Sequence, residues 1–226
     1  MVRISFDADD RGAVWSIEAL LFLVVILVAV TIAAQSIPDT TSAEEFETLQ
    51  RQQLADDVLQ TADATGAMNE TVRYWNAKDQ RWVNSTGSLN DSTYTNLATQ
   101  KAHPLWPAVN TTLNQRLYAY NLYISYQVDA DGDGRFDEQA TIPVVYQGPA
   151  GQGAVTSSHT EFVYDSDTTA NASVSTDGDP CTLQEMTDST SLGTNGCQSD
   201  AYFAPDAAPG STRYNTLQIR LVVWTQ

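Results

Sequence analysis

Y-A-Y-N-L-Y-I-S-Y-Q-V, residues Tyr118–Val128, alternates with the period of a pleated strand. Tyr118, Tyr120, Leu122, Ile124, Tyr126 and Val128 fall on one side, and Asn121, Ser125 and Gln127 on the other. Successive side chains of a strand point to opposite faces, so this stretch lays one apolar and aromatic face on a core. Residues 216–225 repeat the pattern, with Leu217, Ile219, Leu221 and Val223 set against Gln218 and Arg220. This second strand is predicted to lie stitched into the sheet rather than at its edge. Shorter signals at 141–147, 160–165 and 172–175 add strands, giving a mainly antiparallel β head. Residues 67–116 read as turn-rich, anchored by Trp75, Trp82 and Trp106, with a short helix over 108–117, and 176–212 read as a long loop.

The first strand runs straight into V-D-A-D-G-D-G-R-F-D-E, residues 128–138. Asp129, Asp131 and Asp133 alternate, Gly134 permits a tight turn, and Asp137 stands at the ninth position. These spacings suit an oxygen-coordinated calcium loop, in which alternate carboxylates converge and Arg135 offers its carbonyl. Position twelve is Ala140 instead of the bidentate Glu of an EF-hand loop, which leaves Glu138 or a water to complete the shell. With strands rather than helices on either side, the expectation is a calcium-binding hairpin loop. The alternative is an acidic turn without an ion, since Asp-Gly is also a preferred hairpin dipeptide.

Working back towards the amino terminus, T-T-S-A-E-E offers a helix start, with Thr41 or Ser42 as cap and Glu44 or Glu45 completing a capping box. Phe46, Leu49, Leu54 and Val58 form an incomplete helical stripe up to about Ala64, where Thr65-Gly66 ends it. The stripe either packs on the head or serves a short stalk. Before it lies an apolar run, residues 13–34, broken by the single charge Glu18. A helix of that length reaches across a hydrocarbon core about 30 Å thick, so a membrane-spanning helix over 13–36 is expected. Arg3 and Arg11 precede the run and the first basic residue after it is Arg51, so the positive-inside rule places the amino terminus in the cytoplasm and the head outside.

Arg11-Gly12-Ala13 followed by a hydrophobic helix with a glutamate near its start resembles the class III signal of type IV pilins and pseudopilins. R-G-A-V-W-S-I-E-A-L-L together with A-A-Q-S-I is similar to pilin-like membrane proteins of haloarchaea. The resemblance implies cleavage between Gly12 and Ala13, removal of a cytoplasmic leader, 1–12, and assembly with other pilin-like subunits through filament machinery. After that cut Glu18 is sixth, where the bacterial pattern has its glutamate fifth. Glu18 is read either as the partner of a neighbouring subunit's terminal amine or as a solvated interfacial carboxylate.

The chain has 28 acidic and 11 basic residues, a formal charge of −17. Only Lys78 and Lys101 are lysines, and Asp far outnumbers Glu, a halophilic surface whose self-repulsion salt would screen. The same charge excludes nucleic acid as a partner, because nothing neutralises phosphates. Cys181 and Cys197 are the two cysteines, and on the exported side they are most simply a disulfide. Neither His103 nor His159 lies at a ligand-like spacing from them. Sequons at Asn69, Asn84, Asn90, Asn110 and Asn171 suit an exported glycoprotein. No G-x-S-x-G, H-E-x-x-H or phosphate loop occurs, His103 reads as a surface or turn residue, and no enzyme is expected.

The sequence therefore implies an α+β protein with a long amino-terminal hydrophobic helix, residues 13–36, a helical stalk, 37–66, and an extracellular β-rich head, 67–226. Its expected role is a structural subunit or minor pilin of an archaeal type IV pilus-like surface filament. The alternative is an unprocessed single-span surface protein whose calcium-stabilised head mediates adhesion or partner binding.

Overall fold

A computed structural model describes residues 22–26, 43–85, 92–98, 100–172, 174–187, 197 and 202–226. Four long strands form one antiparallel sheet: β3 (Tyr118–Val128), β4 (Glu138–Val145), β5 (Val155–Tyr164) and β6 (Arg213–Thr225), in the order β4-β3-β6-β5. Strand β6 sits in the interior, paired with β3 through Leu122↔Leu221 and Ile124↔Ile219 and with β5 through His159↔Ile219. That is where the alternating 216–225 pattern placed it. A short hairpin, β1 (Trp75–Asn76) and β2 (Arg81–Trp82), pairs Trp75 with Trp82.

Helix α1 (Ala43–Ala64) ends at Thr65-Gly66, where Gly66 takes φ 74°, a left-handed conformation that suits glycine. A second helix, α2 (Ala67–Arg73), follows at once. Leu54, Ala55, Val58, Leu59 and Ala62 recur at helical spacing along α1 and are buried in one core with Tyr120, Leu122 and Ile124 of β3 and Leu217, Ile219, Leu221 and Val223 of β6. Polar contacts fix the helix beside β5: the Gln52 amide donates to the Thr156 carbonyl at 3.1 Å, and the Ser157 hydroxyl donates to Asp56 Oδ1. The compact unit runs Glu47–Gln226, so most of α1 belongs to the head.

Two further helices, α3 (Trp106–Thr112) and α4 (Leu183–Thr187), close other sides. Helix α4 starts with a reciprocal capping box: Glu185 Oε2 accepts from Thr182 N at 2.9 Å, and Thr182 Oγ1 accepts from Glu185 N at 3.3 Å. The expected short helix at 108–117 is α3 displaced towards its start, because Pro107 in the first turn suits a helix opening and Leu117 adopts φ 59° after a 3₁₀ turn. The strand expected at 172–175 is reduced to one bridge, Val174↔Pro180. Aromatic edges complete the core, with Phe203 meeting Trp75, Trp82 and Tyr126 at centroid distances of 5.6, 5.3 and 5.6 Å.

One expectation is corrected. The fold is α+β with antiparallel sheets, but the long amino-terminal hydrophobic helix is not supported: among the described residues no helix is long and apolar enough to cross a membrane. The longest described helix is α1, and at about 1.5 Å per residue its length would suffice. Glu44, Glu45, Glu47, Arg51, Asp56, Asp57 and Asp63 disqualify it, since a charge at the bilayer centre costs on the order of 2.5–3.5 kcal/mol. Of the apolar run, residues 22–26 are described, a helical turn with exposed side chains such as Phe22 at 69%. The leader, Gly12, Ala13 and Glu18 lie outside the described residues.

The packing makes α1 unequal along its length. Leu59 is 3% exposed and Leu49 62%. In urea titrations, Leu59→Ala is expected to lower stability by about 2–5 kcal/mol and Leu49→Ala by no more than about 0.5 kcal/mol. Equal losses would show that the stripe does not anchor the helix.

Candidate functional site

The β3–β4 connection is built around Asp129, at the end of β3. Its Oδ1 accepts from the Gly132 and Asp133 amides at 2.7 and 3.0 Å, and its Oδ2 from the Gly134 amide at 2.9 Å. Asp131 Oδ1 accepts from Asp133 N at 3.1 Å, and Asp133 Oδ1 from Arg135 N at 2.8 Å. Gly132 and Gly134 take φ 76° and 83°, which lets the backbone curl its N–H groups inwards. The loop thus wraps its own amides around successive carboxylates and brings oxygens of Asp129, Asp131 and Asp133 within 4.8 Å of one another.

An all-oxygen set on a curled loop is the donor chemistry of a hard cation, and the three carboxylates fit calcium. The other expected ligands are placed differently. Asp137 is exposed and stands outside the three-carboxylate group. Glu138 opens β4 opposite Val128 and turns Oε2 back to the Ala130 amide at 3.3 Å. Arg135 holds its Nε 3.9 Å from Asp133 Oδ2, with the side chain 78% exposed, so in this arrangement the guanidinium offsets part of the loop's charge. Such an exposed pair contributes little by itself.

Cys181 and Cys197 form a disulfide with Cα atoms 5.8 Å apart, both sulfurs buried in the core. In the chain-entropy model a loop of this size adds about 3 kcal/mol. The sequons differ in access. Asn84 and Asn171 are exposed at turns. Asn110 is half-buried on α3, and Asn90 lies outside the described residues. Asn69 sits in α2, where its amide donates to Glu161 Oε1 at 3.0 Å and the Thr71 hydroxyl is buried on the Ala67 carbonyl at 2.7 Å. A glycan at Asn69 would crowd the contact with Glu161.

His103 lies at a turn, as its neighbours Ala102 and Pro104 suggest, but it is 2% exposed. Nδ1 accepts from Leu105 N at 3.2 Å, which puts the neutral ring's proton on Nε2. The ring stands edge-to-face on Tyr74 and Tyr94 at 5.3 and 5.1 Å. Burial pushes its pKa down to about 3. The same burial raises the Tyr94 and Tyr120 phenols. Such an imidazole packs an aromatic cluster and is uncharged near neutral pH.

Residues 11–223 match the model of DUF7288, a family of unknown function, and the chain belongs to that family. No curated protein and no solved structure matches it.

Two outcomes follow from this geometry. Asp129→Ala removes the acceptor of three amides, so Gly132, Asp133 and Gly134 are expected to exchange hydrogen at least about tenfold faster by NMR, whereas Asp131→Ala leaves Gly132 and Gly134 protected. Equal effects would remove Asp129 from the centre of the loop. For His103, the unfolded chain takes up a proton near pH 6.5 and the folded chain only near 3, so stability falls as pH drops below 6.5. From pH 6.5 to 5 the wild type should lose stability faster than His103→Asn, which retains an acceptor for Leu105, with a difference in slope that steepens towards about 1.4 kcal/mol per unit. Parallel pH profiles would contradict the burial.

Proposed function

We propose that this protein is an exported structural subunit, or minor pilin, of an archaeal type IV pilus-like surface filament, released from its leader between Gly12 and Ala13. The observation that carries the reading is the division along α1. From Leu54 to Ala62 its apolar side chains are committed to the head's core, while Phe46 and Leu49, one turn apart near its start, are each 62% exposed. Two large apolar side chains one turn apart on a helix this acidic form a small apolar patch that a neighbouring subunit would cover. A disulfide-closed segment, accessible sequons at Asn84 and Asn171 and a charge of −17 are consistent with an exported head in a salty medium.

In this reading Glu18 pairs with the Ala13 amine of the next subunit, and the head supplies the filament surface. Intact mass of native surface protein tests the processing step. A mature chain beginning at Ala13, with Gly12→Leu accumulating as an uncleaved precursor, is the expected result. Native protein that retains Met1 would overturn the filament reading.

A second reading, adhesion or partner binding by an unprocessed surface protein with a calcium-stabilised head, is favoured by one observation, the preorganised carboxylates of Asp129, Asp131 and Asp133. Asp137 or Glu138, after a change of rotamer, and the Arg135 carbonyl would complete a low-affinity, extracellular type of site. Calcium at about 100 times its Kd should add roughly 2.7 kcal/mol, a rise of about 5–10 °C in Tm at constant ionic strength. Asp131→Ala, which keeps the loop's main hydrogen bonds, should abolish the rise. The same rise in that variant would reduce the loop to an acidic turn.

A further inference from the structure

Strand β5 carries an anomaly that the hairpin loop does not explain. Its residues alternate in exposure, and the inward positions read Val155, Ser157, His159, Glu161, Val163. An edge strand beneath a helix should present apolar side chains there. Instead, three consecutive inward positions are polar, flanked by the buried valines. Each meets a polar group: Ser157 donates to Asp56 on α1, His159 faces Asp63 on α1, and Glu161 accepts from Asn69 on α2.

At the centre of this row, His159 Nε2 lies 3.4 Å from Asp63 Oδ1 and 3.6 Å from Glu161 Oε2. All three ligand atoms fall within 4.8 Å of one another. Both nitrogen–oxygen separations exceed a normal hydrogen bond of roughly 2.7–3.2 Å. They match the edge of a tetrahedron with arms of about 2.1 Å, which is about 3.4 Å long and is the separation of N and O ligands around zinc. Asn69 holds the other oxygen of Glu161 at 3.0 Å, the kind of outer contact that orients a ligating carboxylate. A groove of about 330 Å³ lined by Asp56, Asp63 and His159 reaches the site from solvent and leaves room for water in a fourth position.

We propose that Asp63 Oδ1, His159 Nε2 and Glu161 Oε2 bind one divalent transition-metal ion of the zinc class, which clips the end of α1 to edge strand β5. One imidazole and two carboxylates suit a borderline ion and not calcium, so this centre and the all-oxygen hairpin loop select different metals. Bound through Nε2, the imidazole carries its proton on Nδ1. The ion turns two carboxylates facing one ring nitrogen, an arrangement in which a single N–H serves one oxygen, into a closed set of bonds. It also gives the polar row on β5 its structural reason: the edge strand is joined to the helix by coordination where apolar packing is missing.

The test is calorimetric titration of the chelator-stripped full chain with zinc chloride, with calcium chloride in a parallel titration, at constant ionic strength. Expected is a zinc site of one ion per chain, weakened at least tenfold in His159→Gln and in Asp63→Asn, and unchanged in Asp131→Ala. Asp63 is 56% exposed at its side chain, so Asp63→Asn keeps the test valid should the strand variant fold poorly. In NMR spectra the His159 ring resonances should shift on zinc addition while those of buried His103 stay in place. Absence of zinc binding to the wild type, or unchanged affinity in Asp63→Asn, would overturn the proposal and leave His159 as an ion-pair partner of the two carboxylates.

Discussion

The contact on which the rest of the head depends is the burial of α1 against the interior strands. Leu54, Ala55, Val58, Leu59 and Ala62 share one core with Leu122, Ile124, Leu217, Ile219 and Leu221. Fully burying a side chain the size of Val or Leu contributes about 1.5–3 kcal/mol, so this stripe outweighs any single polar contact in the molecule. The consequences spread outwards. With α1 in place, Gly66 must reverse the chain into α2, and α2 then offers the Val72 carbonyl to the Tyr202 hydroxyl at 2.8 Å, drawing the segment after the disulfide onto the core. The sheet gains an inner face, and β5 acquires the helix carboxylates opposite its polar row.

Electrostatics set the conditions under which this packing holds. Four arginines among the described residues are engaged locally: Arg73 lies 3.6 Å from Asp167 and Arg81 3.5 Å from Asp79, while Arg220 stacks over Tyr123 and Arg213 over Phe162 at 5.2 and 5.4 Å. Exposed pairs of this kind contribute at most about 1 kcal/mol each. They cannot offset a net charge of −17, which leaves screening by salt, and cations at carboxylate clusters, as the available relief. The two clusters differ in chemistry. One is a loop of carboxylates that its own amides have curled, and the other is a His-centred set joining two elements.

Sequence legibility followed periodicity. Strands β3 and β6 were readable because every alternate position along one side, Tyr118 to Val128 and Leu217 to Val223, is apolar or aromatic, and α1 because its stripe recurs at helical spacing and stops at a glycine. The Asp-rich loop was readable from spacing alone, though not that Glu138 would turn back to Ala130. Strand β5 was half missed, since Ser157 and His159 at inward positions hid its first half and made 160–165 look like the whole element. Helix α4 left a signal that went unused: T-L-Q-E, residues 182–185, is a capping box. The meeting of Asp63 with His159 and Glu161 was not legible, because nearly a hundred residues separate the helix from the strand and no local spacing encodes that register. The expected hydrophobic helix over 13–36 is not supported: of that stretch residues 22–26 are described, and no described helix is long and apolar enough to cross a membrane.

The central claim is that the exposed start of α1 joins one subunit to the next, and the cysteine inventory permits a direct measurement. Both native cysteines are consumed by the Cys181–Cys197 bridge, so a single cysteine at Leu49, made as Leu49→Cys in native cells, is a unique handle. Treatment of intact cells with a short thiol cross-linker should give covalent dimers of this chain, and cysteine placed instead at the exposed Thr160 of β5 should not. Monomers alone from Leu49→Cys, with the thiol freely labelled on the cell surface, would contradict the account.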